Sequence, residues 1–214
     1  MSEESEDKLA TGFDRGVNYS DMKTKFINDY EKINTDISLL KEDSKNYDSE
    51  KKRLFNKSIY VLISMIQLRN GSRISEACNA FSIFLAKGTA EKVIVKLAKS
   101  KTKKKDRITG KEYYTKTRFR KILFPTNWIE LKHVDELKEY LSDIKNLKIR
   151  IIGYLQRNFE CNSHSLRYAF INHMLYHEKK EMAVVAKFVG HSDLNQLVRY
   201  TQNKETEKLF DVDI

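Results

Sequence analysis

Apolar positions recur at helical spacing over two long blocks of the chain, and between these blocks the period shortens to two. The first block opens weakly. Met22, Phe26, Ile27, Tyr30, Ile33, Ile37 and Leu40 make a patchy amphipathic stretch over residues 21–47, as expected of a linker helix docking on a larger body. From Ser49 the pattern firms: Leu54, Ile59, Tyr60, Leu62, Ile63, Ile66 and Leu68 predict a long, mostly buried helix that ends at the turn pair Asn70-Gly71. A further helix is predicted from Arg73 through Ala80. Glu91–Leu97 and Thr117–Phe124 then alternate or run apolar with β-branched residues, as paired strands do. The segment between them, SKTKKKDRITGKEYYTK, reads as a long basic loop. Beyond Pro125, with Thr126 or Asn127 as cap, helices are predicted from Trp128, over Val134–Leu141 and over Ile149–Phe159. The last block, Ser163 to Tyr200, reads as three short helices: one capped by Ser163, one from Met182 to Val189 stopped by Gly190, and one capped by Ser192 or Asp193. The order predicts a mainly helical α+β fold with one small antiparallel β-sheet or hairpin.

Charge sharpens this division. Residues 1–50 hold 7 Lys and Arg against 13 Asp and Glu, a net of −6, whereas residues 51–214 hold 33 against 17, a net of +16. The acidic stretch is poor in apolar side chains over residues 1–20 and is expected to stay partly disordered, because it cannot bury enough surface to offset its ordering entropy. The domain expectation is therefore an acidic tail and linker helix over 1–48, a basic domain over 49–205 and a tail over 206–214. Such a basic domain suits a polyanionic partner. Two cysteines, Cys78 and Cys161, and a start without an apolar leader point to a reduced, cytoplasmic protein. The richest apolar run, Ile59 to Leu68, is too short to span a bilayer.

Residues able to handle phosphate cluster in three places. Gly71-Ser-Arg73-Ile-Ser-Glu76 places a guanidinium just after a turn, with a carboxylate three residues on that could hold it; in isolation this would be an ordinary surface ion pair. His164 and Arg167 share one face of a helical first turn. His191 follows the Gly190 stop, and Tyr200 ends the last helix nine residues later. Tyr200 alone could be a helix-end aromatic packed on the core. His173 and His177, four apart, could contribute to a metal site with Cys161 or His164, but no metal-binding framework accompanies them, and no metal is expected. Tyr113 and Tyr114 could stack on bases.

Taken in order, G-x-R-x-x-E, H-x-L-R, the Gly-His turn and the downstream Tyr resemble the tyrosine recombinases, the integrase, Xer and Cre superfamily, over roughly residues 50–205. The resemblance implies double-stranded DNA as partner, a homotetramer on DNA, a DNA-associated location in a host cell, a virus or mobile element as source, and no cofactor. It assigns Tyr200 as nucleophile of a 3′-phosphotyrosyl intermediate, Arg73 and Arg167 as phosphate clamps, His191 as a hydrogen-bond donor and His164 as a base, with Glu76 in support. Ser100-Lys101-Thr102 resembles the superfamily's β-hairpin lysine motif, which makes Lys101 the general acid and leaves Lys99, Lys103, Lys104 and Lys105 as DNA contacts. The superfamily's N-terminal helical domain has no counterpart in residues 1–49, so a catalytic fragment or a minimal enzyme is expected. Two relatives in chemistry stay open: a type IB topoisomerase, and an accessory DNA-binding protein that has lost the reaction.

Overall fold

The computed structural model describes residues 17–43, 45–88, 91–98, 103–106, 108–114 and 117–190. Its elements are α1 (Tyr19–Ser38), α2 (Tyr47–Asn70), α3 (Ile74–Lys87), β1 (Lys92–Lys96), β2 (Lys103–Lys105), β3 (Glu112–Tyr114), β4 (Phe119–Leu123), α4 (Val134–Asp143), α5 (Leu147–Phe159), α6 (Ser163–Asn172), a π-helical turn (His173–His177) and α7 (Met182–Val189). The protein is a mainly helical α+β fold, as the periodicity predicts.

α2 is the axis of the molecule. Nearly every one of its side chains from Ser58 to Asn70 is buried, as in a helix surrounded by packing partners on all sides. It contacts α1, α3, α4, α5, α6 and β4. α1 lays Met22, Phe26, Tyr30 and Ile33 into the same core. The Tyr30 hydroxyl donates to Glu130 O at 3.3 Å and accepts from Lys132 N at 3.1 Å, tying α1 to the segment before α4.

β1 and β4 pair antiparallel, Val95 opposite Arg120 and Val93 opposite Ile122. Their alternation turns Val93, Val95, Arg120 and Ile122 inward and Ile94, Phe119 and Lys121 outward. Within the segment read as a loop, β2 and β3 form a second antiparallel pair, Lys103 opposite Tyr114 and Lys105 opposite Glu112. Its connection is built by Asp106, whose Oδ1 accepts from Ile108 N at 2.9 Å and Thr109 N at 2.7 Å, and by Gly110 at φ +69°. No helix starts at Trp128: the chain makes one turn, with Trp128 N donating to Pro125 O at 2.9 Å, and α4 begins only at Val134. Among the described residues no helix is long and apolar enough to cross a membrane.

Candidate active site

The site forms where α2 ends. Gly71 caps α2 in the left-handed region, φ +54°, and the packing of α6 leaves no room for a side chain there, because an added Cβ would overlap the Phe170 ring. The chain then reverses through Ser72 into α3, and Arg73 becomes the N-cap residue of that helix. Glu76, at the third helical position, accepts the Arg73 N–H on Oε2 at 3.2 Å, the acidic half of a capping box.

Glu76 does more than cap. It is 1% exposed, and its Oε1 also takes Arg73 Nη1 at 3.2 Å and the Ala98 N–H at 3.0 Å. The first arginine motif is thus not a surface pair: the carboxylate is buried, and only the guanidinium, at 21% exposure, reaches toward solvent. Ala98 lies two residues beyond β1, so the same carboxylate anchors the exit of that strand.

Arg167 arrives from α6, 3% exposed. Its Nη1 donates to Gly71 O and its Nη2 to Val189 O, 2.9 Å away, so one guanidinium ties the α2–α3 turn to the end of α7. Gly190 ends α7 at φ +75°, where a Cβ would stand 2.6 Å from Leu97 Cδ2. Arg167, 96 residues from Gly71 in sequence, therefore meets Arg73 and Glu76 around that turn.

Asn162, not Ser163, caps α6. Its Oδ1 accepts from His164 N at 2.8 Å and Ser165 N at 3.0 Å, because an extended asparagine reaches the first-turn donors that a serine one residue later cannot. The cap occupies two N–H groups that would otherwise be open to an anion. His164 is exposed at the helix start while Arg167 is buried. The helix also widens into a π-turn at His173, where the ring stacks on Tyr19 at 4.2 Å between centroids and on His177 at 5.4 Å. Burial and the neighbouring His177 hold the His173 imidazole below its ordinary pKa. Lys105 is exposed at the end of β2, and Lys103 and Lys104 lie on the same strand. Lys99, Lys101, His191 and Tyr200 lie outside the described residues.

Two features have no counterpart among the sequence motifs. Arg120 projects inward from β4, its Nη2 donating to Asn70 O at 2.6 Å and its Nη1 standing 3.6 Å from Glu76 Oε2. Burial pushes its pKa down to about 10; Glu76 opposes the shift, and the nearby charges of Arg167 and Arg73 add to it. Three guanidiniums therefore gather beside one buried carboxylate, Arg73 and Arg120 in contact with it and Arg167 near enough to Arg120 to oppose its charge. The readable signal was a charged residue at an inward position of an alternating strand. The second feature is a groove of about 840 Å³ between the first half of α2 and α5, lined by Lys52, Arg53, Lys57, Arg150 and Arg157 with no carboxylate among its lining residues. Arg53 stands 17 residues before Asn70 on α2, which at 1.5 Å per residue puts the groove roughly 25 Å from the arginine cluster.

No family model matches the chain. It is 39% identical over 210 residues to a protein of the Sputnik virophage named "Putative integrase V10", covering 95% of this chain and 91% of that protein. An "Uncharacterized protein MJ0770" of Methanocaldococcus jannaschii is 26% identical over 96% of this chain and 91% of its own length. The "Putative integrase ORF241" of the Acidianus two-tailed virus is 30% identical over 77% of this chain and 62% of its own length. Likeness of this degree along nearly the whole length of the virophage protein shows that the chain belongs to a family of integrase-like proteins.

Proposed function

We propose that the protein is a tyrosine-type DNA recombinase that cuts and rejoins duplex DNA through a covalent 3′-phosphotyrosyl intermediate. One observation carries the reading: Arg73 and Arg167 meet at the Gly71 turn, with Glu76 buried between the first of them and β1. Transfer of a phosphodiester needs cations over its non-bridging oxygens, an in-line nucleophile and a proton for the leaving oxygen. Arg73, the more exposed guanidinium, meets the phosphate first, and Arg167 supplies positive charge from behind the same turn. His191 follows Gly190, just after the carbonyl that Arg167 holds, and donates a hydrogen bond to a non-bridging oxygen. The Tyr200 oxygen attacks phosphorus, its proton passing to His164, and the bond from phosphorus to the 5′-oxygen breaks as Lys101 protonates that oxygen. Religation runs the steps in reverse. No cofactor enters the cycle, since the phosphotyrosyl bond conserves the energy of the bond that was cut.

DNA is held in the first instance by phosphate contacts from Lys99, Lys103, Lys104 and Lys105 and by the groove of α2 and α5, and binding weakens steeply with salt. On DNA the protein acts as a homotetramer, so that two duplexes exchange strands.

The test is a pool of nicked duplexes of randomised sequence, in which cleavage near the nick releases a short fragment and traps the covalent complex. Wild-type protein should yield an adduct that survives denaturant and is destroyed by protease, and Tyr200→Phe should yield none while still binding the pool. An undiminished adduct in Tyr200→Phe would assign the nucleophile elsewhere. DNA binding without any adduct would make the chain an accessory protein instead, and relaxation of supercoiled plasmid without strand exchange would make it a topoisomerase.

A further inference from the structure

Arg120 is an unexpected residue on an inward strand position whose neighbours in the alternation are Val93, Val95 and Ile122. A branched aliphatic there would join the core at no electrostatic cost. Instead a guanidinium with 6% exposure sits beside two other arginines, and its buried Nε and Nη1 make no hydrogen bond. Its contacts are specific nonetheless. Nη2 holds Asn70 O at the last residue of α2, Nη1 faces Glu76 Oε2 at 3.6 Å, and the guanidinium carbon lies 5.3 Å from the centroid of the Phe188 ring near the end of α7. Arg120 thus touches the α2 terminus, the carboxylate that holds Arg73, and the helix that leads to Gly190.

We propose that Arg120 is a positioning residue: by sharing the Glu76 carboxylate with Arg73 while itself donating to Asn70 O, it fixes the direction of the Arg73 guanidinium and leaves that guanidinium charge for an anion. This rests on the reading of Arg73 as a phosphate contact. Glu76 has two oxygens and three cationic or N–H claimants besides the Arg73 backbone. With Arg120 present the cluster carries three positive charges against one negative, so Glu76 orients Arg73 without neutralising the site. Without Arg120 the carboxylate would be free to swing toward Arg73 alone, turning a held cation into a closed pair. Lysine is no substitute, because a single ammonium cannot hold Asn70 O and Glu76 in the fixed fork of a guanidinium.

The experiment follows the Arg73 Nε–H resonance in 15N-labelled protein, assigned by its loss in Arg73→Lys, during titration with sodium sulfate. Variants are Arg120→Lys, Arg120→Met, Glu76→Gln and the pair Glu76→Gln/Arg120→Met, each checked for folding by circular dichroism. The expected result is a shifted Arg73 resonance before sulfate is added in both Arg120 variants, and sulfate affinity at Arg73 lower by roughly tenfold, a size usual for coupled residues in contact. Simple charge loss predicts otherwise: Arg120→Lys would behave as wild type, and the double variant, which restores the cluster's net charge, would recover. Either of those outcomes overturns the proposal. So does an Arg73 resonance unmoved in Arg120→Lys, or loss of folding in both Arg120 variants, which would make the residue purely structural. DNA cleavage is scored separately, so a protein that never forms the adduct yet shows the Arg120–Arg73 coupling would refute the recombinase reading and leave this one standing.

Discussion

Gly71→Ala is the sharpest probe of how the fold makes the site, because the ring that an added Cβ would meet can itself be varied. Gly71 and Gly88 both sit at positive φ, +54° and +75°, at the ends of α2 and α3. An alanine at Gly71, in the left-handed region, bears a backbone penalty of roughly 1–2 kcal/mol, whereas Gly88, at ψ −31°, lies outside that region. Their surroundings differ. A Cβ at Gly88 meets nothing within 4 Å, whereas one at Gly71 would overlap Cδ1 of Phe170 and stand 3.0 Å from its Cγ and Cε1. Phe170 is buried and stacked on Phe188, so the ring has little room to yield, and overpacking of this kind costs a further ~1–3 kcal/mol. Gly71→Ala should therefore lose about 2–5 kcal/mol in total, a large share of the ~5–15 kcal/mol that holds a typical domain folded. Urea denaturation followed by circular dichroism reads the difference. With a slope of about 2 kcal/mol per molar, Gly71→Ala should unfold roughly 1–2.5 M below wild type. In a Phe170→Leu background the excess cost of the alanine should shrink, since the smaller side chain vacates the contested space. A cost of the alanine that stays the same in the Phe170→Leu background would refute the reasoning, and with it the claim that Phe170 fixes the turn from which Arg73 and Arg167 are organised.

Asn162→Ala should destabilise the protein by ~1 kcal/mol through loss of the α6 cap, while Ser163→Ala should cost less if Asn162 is the cap; paired urea melts decide. Burial raises the Cys78 thiol to about 11, above its ordinary 9.0, so the folded state holds its proton longer than the unfolded chain and stability should fall as pH rises from 9 toward 11. Melting across that range should show a shallower decline in Cys78→Ala, and an unchanged slope would assign the loss to other groups. Arg53→Glu with Arg157→Glu should weaken DNA binding and flatten its salt dependence by about two phosphate contacts, leaving thermal stability near wild type; unchanged binding would remove the α2–α5 groove from the DNA interface. Lys101→Ala should slow cleavage by roughly 10² to 10⁴ and be rescued by a bridging 5′-sulfur, which leaves without a proton, whereas rescue of Lys99→Ala or Lys103→Ala instead would move the general acid.

What the sequence reveals depends on how local the cause is. α2 and α7 are legible because their apolar runs end in Gly71 and Gly190, and each glycine occupies the left-handed cap that a helix end requires. The β2–β3 pair is not, since Lys103–Lys105 and Glu112–Tyr114 carry no apolar alternation, and the pair announces itself only through Asp106 and Gly110. The spacing of Leu166, Phe170, Met174 and Leu175 implies one continuous helix, but the stack of His173 between Tyr19 and His177 accompanies a π-turn that no period encodes. At the site, Arg73 and Arg167 stand out through short motifs, whereas Arg120 needs the register of β4 before its charge is seen to point inward.

The same distinction explains why Glu76 is the pivot. Arg73 occupies the N-terminal end of α3, where the helix dipole disfavours a cation, and the Arg120 guanidinium, itself next to Arg167, presses on it from β4. A single buried carboxylate in the first turn offsets part of that repulsion and is itself held by the N–H groups of Arg73 and Ala98. The cluster keeps a net positive charge inside the protein surface, an arrangement that costs stability in the free protein and that a bound anion would relieve. A phosphodiester bound beside Arg73 would therefore be held most tightly as negative charge accumulates on its non-bridging oxygens, which is the requirement of phosphoryl transfer.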